Sequence, residues 1–219
     1  MSIGEEEKIL LNWMEKGVTI RAPSTVSIDA SVELAQGVCV ESGCTLRGKT
    51  VVGEGAVIGP GTDLVDSVVG KRARISRSVV EQSVVGDDST VGPYAHLRGG
   101  AELGSHCRVG NFVEIKASKL EDGVKVAHLS YLGDATIERG ANIGAGTITC
   151  NYDGSTKHPT FIGEGAFVGS DSILVAPLRI GKGAWVAAGS VITRDIPPGA
   201  LGVGRSRQKN VEGWADRKG

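Results

Sequence analysis

Four histidines occur in the chain, and one of them, His128, stands where a proton could be moved. It opens the segment HLSYLGD, three residues before Tyr131, and the small-residue run NIGAG follows at 142–146. A lone histidine is more often structural than catalytic. Imidazole nevertheless titrates near ~6.5 and can take a proton from an amine nucleophile at neutral pH. The run that begins at Asn142 lets backbone come close to a ligand. Three cations, Arg98, Lys116 and Lys157, fall at or near breaks in the sequence pattern and are the type of group needed to hold a phosphate. Each alone reads as an ordinary surface charge. The spacings among His96, His106, His128 and His158 give no zinc-type pair, so a metal site is disfavoured and no metal is expected.

The elements that must position these groups follow a period of six. Ile28, Leu34, Val40, Leu46, Val52, Ile58 and Leu64 succeed one another at that step, and the register returns at Val85 to Ile115 and at Ile162 to Ile192. Small residues follow many of these aliphatics, as in Val52-Gly53, Val109-Gly110 and Ile143-Gly144. Each six-residue unit is one short strand and a corner, with the aliphatic pointing inward onto its equivalent one coil away. A helical stripe would need steps of three and four, so the pattern predicts an all-β fold, a parallel β-helix. Three faces make a coil of about eighteen residues, giving roughly nine or ten coils over 18–196. Two stretches break the step. Residues 64–85 slip register and carry Lys71, Arg72, Arg74 and Arg77, which read as a solvated face on irregular coils. Residues 150–161, CNYDGSTKHPTF, read as a polar loop thrown out from the scaffold, where function usually sits.

The two ends differ from the repeat. Within 1–17, the segment EEEKILLNWMEK reads as a short, linker-like helix with an apolar stripe of Ile9, Leu10, Trp13 and Met14, stopped by Gly17. The tail 197–219 leaves the repeat at Pro197-Pro198-Gly199 and carries Arg205, Arg207, Lys209 and Trp214. It is either a frayed terminus or a segment that binds phosphate and stacks on a ring. Aromatic residues are only 4% of the chain, so the core must be built from Val, Ile and Leu. A net charge of −1 without long single-sign runs disfavours nucleic acid, and no apolar stretch has the length of a membrane span. The four cysteines have neither metal nor disulfide spacing, so reduced thiols in a cytoplasmic protein are expected.

The run from GNFVEIKASKL through HLSYLGDATI and NIGAGTITCNYDG to IGEGAFVGSDSILVAPLRIGKGAWVAAGSVITRD closely resembles a known family. It is similar to the C-terminal half of the bacterial bifunctional N-acetylglucosamine-1-phosphate uridyltransferase / glucosamine-1-phosphate N-acetyltransferase. The resemblance implies a left-handed β-helix, homotrimeric, with sites between neighbouring subunits. It implies acetyl transfer from acetyl-CoA to the 2-amino group of glucosamine-1-phosphate, for UDP-N-acetylglucosamine and cell-envelope synthesis. The general base falls on His128. The sugar-phosphate contacts fall on Arg98, Lys116, Tyr131, Asn142 and Lys157, with Glu114 as a partner for the amine or the base. The acetyl-CoA contacts fall on Ala145, Asn151, Tyr152, Ser170, Ala188 and Arg205, and Trp214 is the ring-stacking candidate of the tail. No covalent acyl-enzyme is implied, so Cys150 need not be a nucleophile. Gly99 stands where the family often has proline, and Gly204 where it often has serine. No segment resembles the family's glycine-rich, lysine-containing nucleotide-binding stretch, so uridylyl transfer is not expected from these residues, and a separate uridyltransferase is a candidate partner. Two alternatives stay open: another amino-sugar acceptor such as galactosamine-1-phosphate, and a non-catalytic trimeric scaffold.

Overall fold

The computed structural model describes residues 3–218, so the outermost residues of the expected 1–17 and 197–219 segments lie outside the described residues. From Thr19 onward the chain winds into a left-handed parallel β-helix. Every strand pairs in parallel with its equivalent one coil away, and the described strands form sheets of eleven, ten and nine members, one on each side of a prism.

The six-residue step produces this because strand side chains alternate. In each two- or three-residue strand one side chain faces in and its neighbour faces out. The inward column of the first sheet includes Val40, Ile58, Ile75, Val91, Val109, Val126, Ile143, Val168 and Val186, all essentially inaccessible. No aromatic side chain is among the buried core residues, as the composition requires. Most glycines after the inward residues permit close stacking rather than unusual dihedrals: a Cβ on Gly144 would overlap the Ser170 amide one coil on.

Residues 64–85 keep the stack despite their slipped register. Leu64 to Val69, Ile75 to Val80 and Val80 to Val85 are steps of five, yet each strand pairs in line with its neighbours. The missing residue is absorbed at corners where Asp66, Arg77 and Gln82 adopt φ of 46°, 45° and 48°. A buried serine follows each corner and closes it, as when Ser67 Oγ donates to the Val65 carbonyl at 2.7 Å. Arg72 from this stretch pairs with Asp88 at 2.6 Å in an exposed ion pair.

The helix spans Ile3–Glu15 and ends before Gly17, whose φ of 88° suits only glycine. Leu10 is buried and Ile9 and Trp13 pack on the core, closing one end of the β-helix; Met14 stays exposed. At the other end the chain departs from the repeat later than the diprolyl turn suggested. Pro197 and Pro198 shape a turn, after which Leu201–Gly202 still pairs with Trp185–Val186 as the last rung of the first sheet. No described helix is long and apolar enough to cross a membrane.

Candidate active site

Two residues past each inward aliphatic of the first sheet, the chain turns the corner toward the second. In successive coils that position is held by Asn111, His128, Ala145, Ser170 and Ala188. The residue expected to act as base and three residues expected at the cofactor therefore stand one above another along a single edge of the prism. Backbone bonds tie the rungs: Asp171 N–H donates to the Ala145 carbonyl at 2.7 Å and Gly189 N–H to the Ser170 carbonyl at 2.8 Å. Gly204 continues the edge, its neighbourhood closed by Val191, and Arg205 lies beside Gly189. At ~4.8 Å per rung, His128 to the level of Gly204 spans about 19 Å. The edge thus offers a strip long enough for an extended ligand.

His128 closes the strand Lys125–His128, and its Nδ1 lies 2.6 Å from Asn111 Oδ1. Asn142 faces outward from the first sheet, in register with Lys125 and Phe167.

Around the corner, the second sheet gathers the charged groups. Arg98, Lys116 and Gly133 are in register on three successive coils, as are His96, Glu114 and Tyr131. Arg98 Nε donates to Glu114 at 2.7 Å, and Lys116 Nζ donates to both oxygens of Asp134 at 3.0 and 3.2 Å. The Asn151 amide donates to the same Asp134 carboxylate. Gly133 makes room for this: a Cβ there would overlap the Tyr131 hydroxyl and the Asn151 amide. Thr149 takes an inward position, where it accepts from the Gly133 N–H at 2.8 Å.

The expected loop leaves after Cys150 and returns at Thr160. A bridge between Tyr152 and Lys157 makes it a small hairpin. Asp153 knits it, accepting from Ser155 N–H at 2.8 Å, Thr156 N–H at 2.7 Å and His158 Nε2 at 2.7 Å. These bonds, the Thr156 and His158 ones foremost, hold the Asp153 carboxyl well below the usual carboxylate range. The hairpin returns Lys157 to Lys116. Contact with the Lys157 nitrogen, together with Asp134, raises the Lys116 ammonium above the ordinary lysine value; Lys157, bonded to and repelled by Lys116, falls below it. Two lysines face each other with Arg98 nearby and only Asp134 and Glu114 to balance them. Such a cluster suits an anion.

Of the residues expected at the site, Arg98, Glu114, Lys116 and Tyr131 come together on the second sheet, met by Asn151 and Lys157 from the hairpin. His128, Ala145, Ser170 and Ala188 align on the adjoining edge. Tyr152 is exposed on the hairpin, its hydroxyl on the Gly154 carbonyl. No described hydrogen bond, ion pair or ring contact ties the Trp214 side chain to this edge within the chain. The sequence reading missed Asp134, Asn111 and the stapling role of Asp153. The signal for the first two was coil length: Asp134 lies eighteen residues after Lys116, and Asn111 seventeen before His128. Among the described residues, no group of His, Cys, Asp and Glu is assembled that could hold a metal.

Comparison with known proteins agrees with this fold. Residues 24–109 match the GMPPB C-terminal domain, and residues 159–194 match the hexapeptide repeat of succinyl-transferase. The chain is 48% identical over 210 residues to the bifunctional protein GlmU of Synechococcus elongatus, covering 96% of this chain and 46% of that protein. It is 52% identical over 205 residues to GlmU of Thermotoga maritima, covering 94% and 46%. Nearly the whole chain thus aligns with the C-terminal half of GlmU. It spans about half the length of the GlmU relatives it matches. Among solved structures, UDP-N-acetylglucosamine acyltransferase from Campylobacter jejuni superposes with a TM-score of 0.59 at 16% identity, covering 85% of this chain and 71% of that one. The Francisella novicida enzyme of the same name gives 0.57 at 16% identity, with 85% and 67% covered. These structural likenesses show the shared fold.

Proposed function

We propose that the chain transfers the acetyl group of acetyl-CoA to the 2-amino group of glucosamine-1-phosphate, giving N-acetylglucosamine-1-phosphate for UDP-N-acetylglucosamine and cell-wall synthesis. The observation that carries this reading is the presence of two features on adjoining parts of the prism. One is an anion-seeking cluster, Arg98, Lys116 and Lys157. The other is the straight edge that begins with a histidine and continues through small residues.

The phosphate sits among the three cations, with Tyr131 and Asn142 beside the sugar and Glu114 steering Arg98. His128 removes a proton from the amine as its nitrogen attacks the thioester carbonyl. The oxyanion is met by the Ala145 backbone N–H, which the small-residue run exposes. The C–S bond then breaks, and the proton held on His128 passes to the departing thiolate. The donor arm runs up the edge past Ser170 and Ala188 toward Arg205. Asn151 and Tyr152 contact it from the base of the hairpin, and Trp214 stacks on its ring from the tail. Cys150 takes no part, and no metal enters.

The edge is bordered by an exposed apolar ridge, Tyr94, Phe112 and Leu129, with the first two rings stacked at 5.6 Å and 8°. Such a ridge favours lateral association of like chains, in line with a cytoplasmic homotrimer in which neighbouring subunits complete each site.

The test is acetyl-CoA-dependent thiol release with purified protein and three acceptors: glucosamine-1-phosphate, galactosamine-1-phosphate and glucosamine-6-phosphate. Release with the first alone is expected. Release with another acceptor keeps the chemistry and changes the substrate, and no release from folded oligomer rejects the reading. His128→Ala is expected to lower kcat by ~100-fold or more with the oligomer intact.

A further inference from the structure

The edge has one rung that the reaction above does not use. Asn111 precedes His128 by one coil, on the side away from Ala145, Ser170 and Ala188, and its Oδ1 lies 2.6 Å from His128 Nδ1. The backbone is shaped to make this contact. Arg108–Asn111 and Lys125–His128 each run to four residues, where the other described strands have two or three, and the extra length carries the pairing out to Asn111 and His128 themselves. The approach is so close that a Cβ on Gly110 would overlap the Ala127 carbonyl, so only glycine permits it.

We infer that Asn111 is the positioning residue of the base, holding the proton on Nδ1 so that Nε2 is left bare to receive the amine proton. This rests on His128 being the base. A carboxamide oxygen can only accept, so the imidazole nitrogen facing it must donate. A neutral imidazole carries one N–H, so fixing it on Nδ1 makes Nε2 the acceptor. The bond also locks the ring of a largely exposed side chain that would otherwise rotate. The partner is neutral, and that matters. A carboxylate in its place would hold the imidazolium and slow the return of the proton to the leaving thiolate, whereas an amide orients without trapping.

Long-range 1H–15N correlation spectra of the imidazoles, at a pH where they are neutral, read the tautomer directly, with His128→Ala to assign the signal. Wild-type protein is expected to show His128 protonated on Nδ1, and Asn111→Ala to move it to the Nε2–H form. In thiol-release assays Asn111→Ala is expected to lower kcat by about 10- to 100-fold while the KM for both substrates changes less than about threefold. Asn111→Asp keeps the acceptor, so it should keep the Nδ1–H tautomer, while its charge holds the imidazolium and leaves kcat below that of wild type. If Asn111→Ala fails to fold, the wild-type spectrum and the Asn111→Asp variant decide alone. An Nε2–H tautomer in wild type overturns the inference, as does Asn111→Ala with undiminished kcat. The spectra need no substrate. An inactive wild type with the Nδ1–H tautomer would therefore sink the proposed reaction and leave the positioning contact standing.

Discussion

Lys157 is the most informative single residue because its charge depends on its neighbour. Lys116 keeps its proton against Asp134, and Lys157, facing it, is the one that loses its proton early. A lysine with a lowered pKa is charged below that value and neutral above it. Phosphate needs it charged, and a bound dianion would in turn draw its pKa back up. The KM for the sugar phosphate is therefore expected to climb as pH rises through the alkaline range, before ordinary lysines titrate. Lys157→Arg, which cannot deprotonate there, should flatten the climb. Parallel pH profiles for wild type and variant would refute this.

At the level of elements, Asp153 ties the turn of the hairpin over 151–159 that holds Lys157. Asp153→Ala removes the acceptor for two backbone N–H groups and for His158, all exposed. The hairpin should loosen without disturbing the coils, so sugar-phosphate KM is expected to rise several-fold, in the range of ~1 kcal/mol of lost positioning, with the thermal midpoint unchanged. A fall in that midpoint with KM intact would show that the loop serves stability instead. The prominence of this loop was legible in the sequence because it interrupts a strict period. The coils themselves were equally legible, since Val, Ile or Leu at every sixth place leaves little choice of fold. What stayed hidden was contact between coils. Asn111 and Asp134 stand beside their partners through stacking, and because five-residue faces such as Val80 to Val85 vary the coil length, an offset of one coil points to their neighbourhood without singling them out. Thr149 was hidden differently, as a polar residue in an inward column satisfied by the Gly133 backbone.

Across the whole molecule, the proposed trimer makes the apolar ridge beside the edge the surface to test. Tyr94, Phe112 and Leu129 all project from corners with positive φ, and each is more than half exposed. Leu129→Glu places a charge on the ridge, at its end beside Phe112. Sedimentation is expected to show monomers, with acetyl transfer largely lost although the coils remain folded. An unaltered oligomer would move the interface elsewhere. The same edge has a consequence for how such molecules diversify. Its rungs are set by backbone pairing, so the distance from the histidine to the donor's far handle can change only in whole steps of about 4.8 Å. Inserting or deleting a coil would lengthen or shorten the accepted donor by one increment while leaving the reacting end untouched. The prism is in that sense a ruler, with His128 at its zero mark.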